Sequence, residues 1–199
     1  MAEAMSVMSI EEIKIELRNI LSKKRYIHSL GVAGEAEKLA RRYGADTAKA
    51  YLAGLVHDCA KEYKPDDMEK ILKTEYGVSV DSMSRVMPKI LHGPLGACDA
   101  QRKFGIYDPE ILDAVKYHTT GKGGMCMLTK IVYIADYIEP NRDFDGVETL
   151  RKMAYDNIDE AIIHGIDETI KDLLSRGLVI HPDTMHARND LIMKRAQGE

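Results

Sequence analysis

The residues of this sequence most suited to chemistry are a histidine and an aspartate that stand side by side after an apolar run. His57 and Asp58 directly follow the apolar residues 52–56. An apolar run belongs in a protein interior, where a charged group without a partner is costly. A divalent metal is a suitable partner, because neutral imidazole and ionised carboxylate are both metal ligands. The pair therefore predicts a metal site, provided that the rest of the chain supplies further ligands.

Four more candidate ligands lie near predicted helix ends or in apolar helical segments. The complete set is His28, His57, Asp58, His92, His118 and Asp136. Six nitrogen and oxygen ligands exceed what one four-coordinate metal takes, but they suit two metals that share a carboxylate. We expect Asp58 to be that bridge. The two halves of the site would then be His28, His57 and Asp136 on one side, and His92 and His118 on the other.

The ligand types narrow the identity of the metal without fixing it. Mixed imidazole and carboxylate ligation without thiolate suits iron, manganese or zinc. The three cysteines Cys59, Cys98 and Cys126 show no C-x-x-C spacing. Their scatter argues against a disulfide framework or a structural zinc site and indicates a reducing compartment.

Each candidate also has an ordinary structural interpretation. A single histidine in an amphipathic helix is more often a hydrogen-bonded core or surface residue than a ligand. Asp136 resists that interpretation, because the apolar residues 131–135 and 137–138 surround it. For Lys61 and Arg142, which could bind an anion near the site, the alternative is solvated surface charge.

Helix signals along the chain place the candidate ligands. Ser9 and Glu12 have the spacing of a capping box, and Asp46 and Asp108 are N-cap candidates. Gly44 is a C-cap candidate at the end of the second predicted helix. The predicted helices cover residues of about 9–22, 24–43, 46–58, 65–77, 92–104, 108–118, 125–139, 157–176 and 182 onward, with a short helix after residue 81 left open. No segment alternates as a strand would. The sequence therefore predicts an all-α bundle of about eight to ten helices, with one domain at residues 9–195 and a disordered N-terminus at residues 1–8.

Composition excludes several classes of function. The chain has 199 residues, 45% hydrophobic and 30% charged, as in a soluble globular protein. A net charge of −4 argues against binding to a nucleic-acid polymer. No signal peptide and no apolar run of about 18 residues is present, so we expect no membrane span and a cytoplasmic location. A small anionic ligand stays compatible with this charge, because bound metal supplies local positive charge.

The order of these motifs resembles a known family. His28, then His57 with Asp58, then Asp136 is similar to the H…HD…D signature of the HD-domain metal-dependent phosphohydrolases, and His92 and His118 resemble the additions of the subset with two metals. Four segments look more narrowly like the YqeK-type bacterial HD proteins: residues 91–97, 117–121, 134–142 and 180–184. The resemblance covers roughly residues 25–192.

This resemblance implies an HD-domain helical bundle and a metal-dependent hydrolase that cleaves bis(5′-nucleosyl) tetraphosphates symmetrically. Diadenosine tetraphosphate would give two ADP through a metal-activated hydroxide. The family is associated with two iron ions, and manganese or zinc are alternatives. Asp58 and Lys61 would be catalytic. The nucleotide contacts implied are Arg25, His28, Lys61, His118, Thr119, Arg142 and His181.

Other functions stay open at this point. An HD phosphohydrolase could act on a guanosine polyphosphate or a nucleoside triphosphate, and a nucleotide-binding sensor could keep the same site with slow turnover. An oxygen-using di-iron enzyme on a helical scaffold is a third class, which the basic residues near the site disfavour. The expected partner is a small nucleotide substrate, with a homodimer left open.

Overall fold

Residues 8–198 are described here by a computed structural model, and every regular element in that range is helical. Eleven α-helices and one short 3-10 helix, Pro88–Leu91, follow one another: α1 Ile10–Ile20, α2 Lys23–Tyr43, α3 Thr47–Val56, α4 Pro65–Tyr76, α5 Ser82–Val86, α6 His92–Phe104, α7 Pro109–Tyr117, α8 Met127–Ile138, α9 Val147–Asp156, α10 Ile158–Ser175 and α11 Pro182–Gln197. The expected all-α class is confirmed. The eleven α-helices of the described residues are one more than the upper limit of the predicted eight to ten.

Local signals in the sequence define most helix ends. Ser9 and Glu12 form the reciprocal capping box, in which the Glu12 N–H donates to Ser9 Oγ and the Ser9 N–H donates to the Glu12 carboxylate. Asp46 and Asp108 each accept two backbone N–H bonds at the starts of α3 and α7. Gly44 ends α2 with a φ of 66°, a left-handed conformation that costs glycine little. These helices therefore begin and end where capping chemistry places them.

The sequence does not predict α9. Its N-cap is Gly146, which adopts a φ of 91° and offers no side chain to bond the first N–H groups. The helix also buries only Val147, Leu150 and Ala154. A start signal and a broad apolar stripe are the two features from which helices are identified, and α9 has neither.

The core is built around α8. Residues 131–135 of this helix are fully buried on all sides, and α2, α3, α7 and α10 pack against it. A helix that is apolar all round belongs at the centre of a bundle. One hydrophobic cluster extends from Ile13 in α1 to Leu191 in α11, and a smaller one with Met68 and Leu72 lies under α4.

The expectation of a disordered N-terminus falls on residues 1–7, which lie outside the described part of the chain, and on Met8. Met8 is described, and its N–H donates to the carbonyl oxygen of Phe104 at 3.1 Å. Between residues 8 and 198, none of the helices has both the length and the apolar composition that crossing a bilayer requires.

Candidate metal centre

The ends of five helices bring the six predicted ligands together. The ligands come from the first turns of α2, the C-terminal ends of α3, α7 and α8, and the start of α6. Five of the six side chains are buried, with exposures between 0% and 7%, and the sixth is partly buried: His28, His57, Asp58, His92, His118 and, partly buried, Asp136. A cluster of this kind far from water needs partners for every polar atom.

Three of the histidines are oriented by the same local device. The Nδ1 atoms of His57, His92 and His118 lie 2.7, 2.5 and 2.7 Å from the carbonyl oxygens three residues earlier in the chain. A carbonyl oxygen only accepts, so each Nδ1 carries the hydrogen and each Nε2 presents a lone pair. Carbonyls at helix ends lack intrahelical partners, and these bonds satisfy them. One short interaction therefore completes the helix end and aims the ring.

His28 is held in the same tautomer by a side chain that the sequence analysis did not single out. Its Nδ1 donates to Oε1 of Glu139 at 3.0 Å. Glu139 is 1% exposed, and its other oxygen accepts bonds from the backbone N–H and the side-chain amide of Asn141. A carboxylate behind a ligating histidine is a recurrent feature of metal sites. The sequence feature that could have identified Glu139 is its position directly after the apolar residues of α8.

The two oxygens of Asp58 face the two halves of the cluster. Oδ1 lies 3.2 Å from His92 Nε2 and 3.3 Å from His118 Nε2. Oδ2 lies 3.5 Å from His57 Nε2 and 3.8 Å from His28 Nε2. One carboxylate thus stands between two pairs of imidazoles, with one oxygen directed to each pair.

The chemistry of these donor atoms fits cations. The Nε2 atoms of His28 and His57 and the Oδ1 atom of Asp58 are buried without a hydrogen-bond partner among the described residues. The Nε2 atoms of His92 and His118 lie 2.9 Å apart, each with its lone pair. Lone pairs facing one another repel, and a cation between them turns the repulsion into ligation.

Asp136 completes the half of the cluster that contains His28 and His57, in an arrangement that also suits a metal ion. Asp136 Oδ1 lies 3.0 Å from His28 Nε2 and 4.0 Å from His57 Nε2. His28, His57 and Asp136 form one group whose ligand atoms all lie within 4.8 Å of one another, and His57, Asp58 and His118 form another.

Burial lowers the pKa of His92 to about 4, so its imidazole is neutral at pH 7. Metal ligation requires the neutral ring.

Basic and polar side chains surround the cluster where the resemblance implied nucleotide contacts. Arg25 pairs with Asp58 Oδ2 at 2.6 Å, and Arg142 donates to the carboxylate and carbonyl of Asp136. Lys61 Nζ lies 2.9 Å from His92 Nε2, and burial lowers the pKa of its ammonium group.

The remaining two predicted contacts lie in different surroundings. Thr119 Oγ1 is 3.1 Å from His92 Nε2, directly at the cluster. His181 is instead the N-cap of α11, with its Nε2 atom 3.3 Å from the hydroxyl of Ser84. It lines a separate pocket of about 210 Å³, to which none of the six cluster residues contributes. The structure thus brings Thr119 to the cluster and leaves His181 apart from it.

Helix α9 fixes the loop that follows α8. Arg151 in this helix donates to the carbonyl oxygens of Ile138, Glu139 and Arg142 at 2.9–3.0 Å. The Ile138 and Glu139 carbonyls lie at the C-terminal end of α8, where they have no intrahelical partner, and the Arg142 carbonyl lies in the loop that follows. The helix that the sequence failed to predict therefore positions both Glu139 and Arg142.

Comparisons with known proteins agree with this geometry. The protein-family model for the HD domain matches residues 25–141. The chain is 40% identical, over 93% of its length and 98% of the relative's, to a Bacillus subtilis (strain 168) protein named symmetrical bis(5′-nucleosyl)-tetraphosphatase. A Staphylococcus aureus (strain NCTC 8325 / PS 47) protein of the same name is 39% identical over 92% of this chain and 94% of the relative.

A solved structure has the same fold. The crystal structure of a protein from Clostridium acetobutylicum, described as a predicted HD superfamily hydrolase involved in NAD metabolism, superposes with a TM-score of 0.92 and 42% sequence identity. The match covers 95% of this chain and 100% of that one. The shared signature, the similar relatives and the shared fold lead to one conclusion: this chain belongs to the HD domain family.

Proposed function

We propose that this protein is a metal-dependent phosphoanhydride hydrolase that cleaves bis(5′-nucleosyl) tetraphosphates symmetrically, so that diadenosine tetraphosphate gives two ADP. One observation carries the proposal: the Nε2 atoms of four buried histidines converge on the two oxygens of Asp58, and two of them, in His28 and His57, have no hydrogen-bond partner among the described residues. Relatives named for this activity match more than nine tenths of this chain and of their own lengths.

The ligand assignment follows from the two sides of Asp58. We propose that this residue bridges two divalent ions. The ligands of one would be His28, His57 and Asp136, and those of the other His92 and His118. When bound, two such ions activate water and offset charge on phosphate oxygens. We propose iron, with manganese and zinc as the alternatives that the same nitrogen and oxygen ligands accept.

The basic residues beside the proposed metal ligands would act on the phosphate chain of the substrate. In the reaction, a water oxygen bonds to one central phosphorus atom while the bond from that phosphorus to the bridging oxygen breaks. The departing nucleoside diphosphate is a stable anion and requires no strong general acid. Lys61 and Arg25, which contact Asp58 from the rim of the cluster, would bind phosphate oxygens as charge builds up on them.

The nucleotide contacts are proposed from their positions. His118, Thr119 and Arg142 line a groove of about 900 Å³ that borders the cluster, and His28 and Arg25 line a second groove. These five residues can reach a bound nucleotide from the cluster. His181 stays a prediction on the basis of the family resemblance, because it lines the separate smaller pocket.

Domain organisation, cellular location and oligomeric state also belong to the proposed function. We propose that residues 9–195 act as one domain, supported by the hydrophobic cluster that joins Ile13 to Leu191. A cytoplasmic location is supported by Cys59, Cys98 and Cys126, which are all free thiols. A homodimer, which the sequence leaves open, is tested by light scattering on the purified protein.

The decisive experiment combines metal analysis with product analysis. Protein purified without oxygen is analysed for metal per chain and then incubated with diadenosine tetraphosphate, guanosine tetraphosphate and ATP in parallel. We expect close to two metal ions per chain, rapid turnover of diadenosine tetraphosphate and ADP as its sole product. Formation of ATP and AMP, preferential hydrolysis of either other nucleotide, or ADP binding without turnover at full metal loading would each contradict the proposal.

A further inference from the structure

Two grooves of similar volume border the cluster. The α10 groove, about 900 Å³, reaches the cluster at His118 and Asp136 and continues along α10. The α2 groove, about 840 Å³, reaches it at His28 and continues along the first turn of α2. Arg142 and Phe144 line both grooves, so the two spaces adjoin one segment of chain and meet at the proposed metal centre.

The two grooves differ in charge. The α2 groove is lined by four cationic side chains: Lys23, Lys24, Arg25 and Arg142. Its two carboxylates are Asp143, which is exposed, and Glu139, whose oxygens already accept bonds from His28 and Asn141. The α10 groove has the opposite balance, with one arginine against four carboxylates: Asp136, Asp145, Glu168 and Asp172. The α2 groove is therefore the better site for an additional anion.

Three of these cations occupy an unfavourable position on their own helix. Lys23, Lys24 and Arg25 fill the first turn of α2, at the positive end of the helix dipole, and no acidic residue lies in that turn. The Glu62 carboxylate accepts the N–H of Ser22 there, and Arg25 pairs with Asp58. Lys23 and Lys24, however, form no ion pair with any residue between 8 and 198. An anion in this groove would offset both the lysines and the helix end.

The same groove offers apolar surface beside the positive charge. Ile27 is 43% exposed and Phe144 is 44% exposed, and both line it. An aromatic ring next to cationic side chains is the combination that binds a nucleobase and the phosphates attached to it. The groove therefore has the features of a nucleotide site, and it ends at the ligand His28.

We propose that the α2 groove binds one of the two nucleoside diphosphate halves of the substrate, with its phosphates on Lys23, Lys24 and Arg25 and its nucleoside against Ile27 and Phe144. The other half occupies the α10 groove, where Arg142 and the proposed metal ions, and not the acidic side chains along the groove, would bind its phosphates. This inference rests on the proposed function and adds to it a physical basis for symmetrical cleavage: two similar halves lie in two grooves of similar size, with the central anhydride at the metal centre between them.

The test reverses the charge of the groove without touching the metal ligands. The double variant Lys23→Glu/Lys24→Glu changes two exposed side chains, and Lys70→Glu on α4 is the control, because Lys70 is exposed and lines neither groove. Metal-loaded protein is titrated with ADP in a calorimeter, and the KM for diadenosine tetraphosphate is measured on the same samples. Circular dichroism verifies that all three proteins are folded.

We expect two ADP per chain for the wild type and for Lys70→Glu, and one for the double variant. We also expect the double variant to raise the KM at least tenfold. Turnover by the wild type together with one ADP per chain, or an unchanged KM and ADP stoichiometry in the double variant, would overturn the second site alone. Absence of turnover in the wild type would refute the proposed function instead, and the ADP stoichiometry would still report on the groove.

Discussion

A β carbon on Gly93 would lie 2.5 Å from the carbonyl oxygen of Lys116, so α6 and α7 approach one another here through bare backbone. This contact lies next to His92 and two residues before His118. Those two rings bring their Nε2 atoms to 2.9 Å. The separation between two proposed ligands of one metal is thus set by the absence of a side chain at position 93.

Gly93→Ala is expected to separate these helices and weaken the metal centre. Because the neighbouring atom is a backbone oxygen, relief requires a helix to shift, at a cost of ~1–3 kcal/mol in the free energy of unfolding. Metal per chain should fall as well. The control is Gly34→Ala, where nothing lies within 4 Å of the new β carbon and alanine should be neutral or stabilising. Urea denaturation and elemental analysis measure both effects, and wild-type values for Gly93→Ala would contradict this account.

Glu139 is expected to strengthen metal binding through His28. Glu139→Gln keeps the shape of the side chain but removes the negative charge behind the ring, so metal affinity should fall ~10–100-fold. Gly31→Ala should act in the same direction, because its β carbon would collide with Oε2 of Glu139. Competition with a chelator measures the affinity. Equal affinity in Glu139→Gln and the wild type would show that the carboxylate has no such role.

Asp58 is expected to be indispensable to both metals. Asp58→Asn should lose most bound metal and reduce turnover of diadenosine tetraphosphate by more than ~100-fold, because direct ligation contributes more than a supporting hydrogen bond. Asp66→Asn, at an exposed position in the first turn of α4, is the matched control. Full activity in a folded, metal-poor Asp58→Asn protein would exclude the bridging role.

Lys61 is expected to act on the substrate and not on the metals. Lys61→Ala should keep wild-type metal content and lower kcat/KM by ~10–100-fold, the amount that a hydrogen bond to a charged group contributes. Lys70→Ala removes an exposed lysine from α4 and should change neither quantity. If kinetics over a range of substrate concentrations match the wild type, Lys61 lies outside the site.

Acid should destabilise the metal-free protein through His92. Burial lowers the pKa of this side chain from 6.5 to about 4. Between these pH values the unfolded chain binds a proton that the folded protein does not, so the free energy of unfolding falls as the pH falls through this window, by up to ~3 kcal/mol.

The corresponding variant is His92→Asn, which cannot take up that proton. Urea denaturation at pH 7 and pH 4.5 should show a smaller loss of stability for His92→Asn than for the wild type. His186→Asn, on the exposed face of α11, is the control and should follow the wild type. Parallel pH dependence in all three proteins would contradict the assignment to His92.

The sequence by itself determined the helical class, most helix ends and the six side chains that converge. Helix ends at Ser9, Asp46, Asp108 and Gly44 depend on bonds within one turn, so neighbouring residues suffice to predict them. An aspartate inside the apolar run of α8 needs a partner in any fold. Helix α9 lacks a side-chain cap and carries few apolar residues, so its sequence contains no local signal that predicts a helix.

Tertiary structure alone decided how these side chains face one another. The distance between His92 and His118 depends on the approach of Gly93 to Lys116, and the tautomer of His28 depends on Glu139, which is 111 residues away. The two grooves and the separation of His181 from the cluster arise from the packing of whole helices. Such relationships join residues distant in sequence, and only the folded chain brings their atoms within a few ångströms.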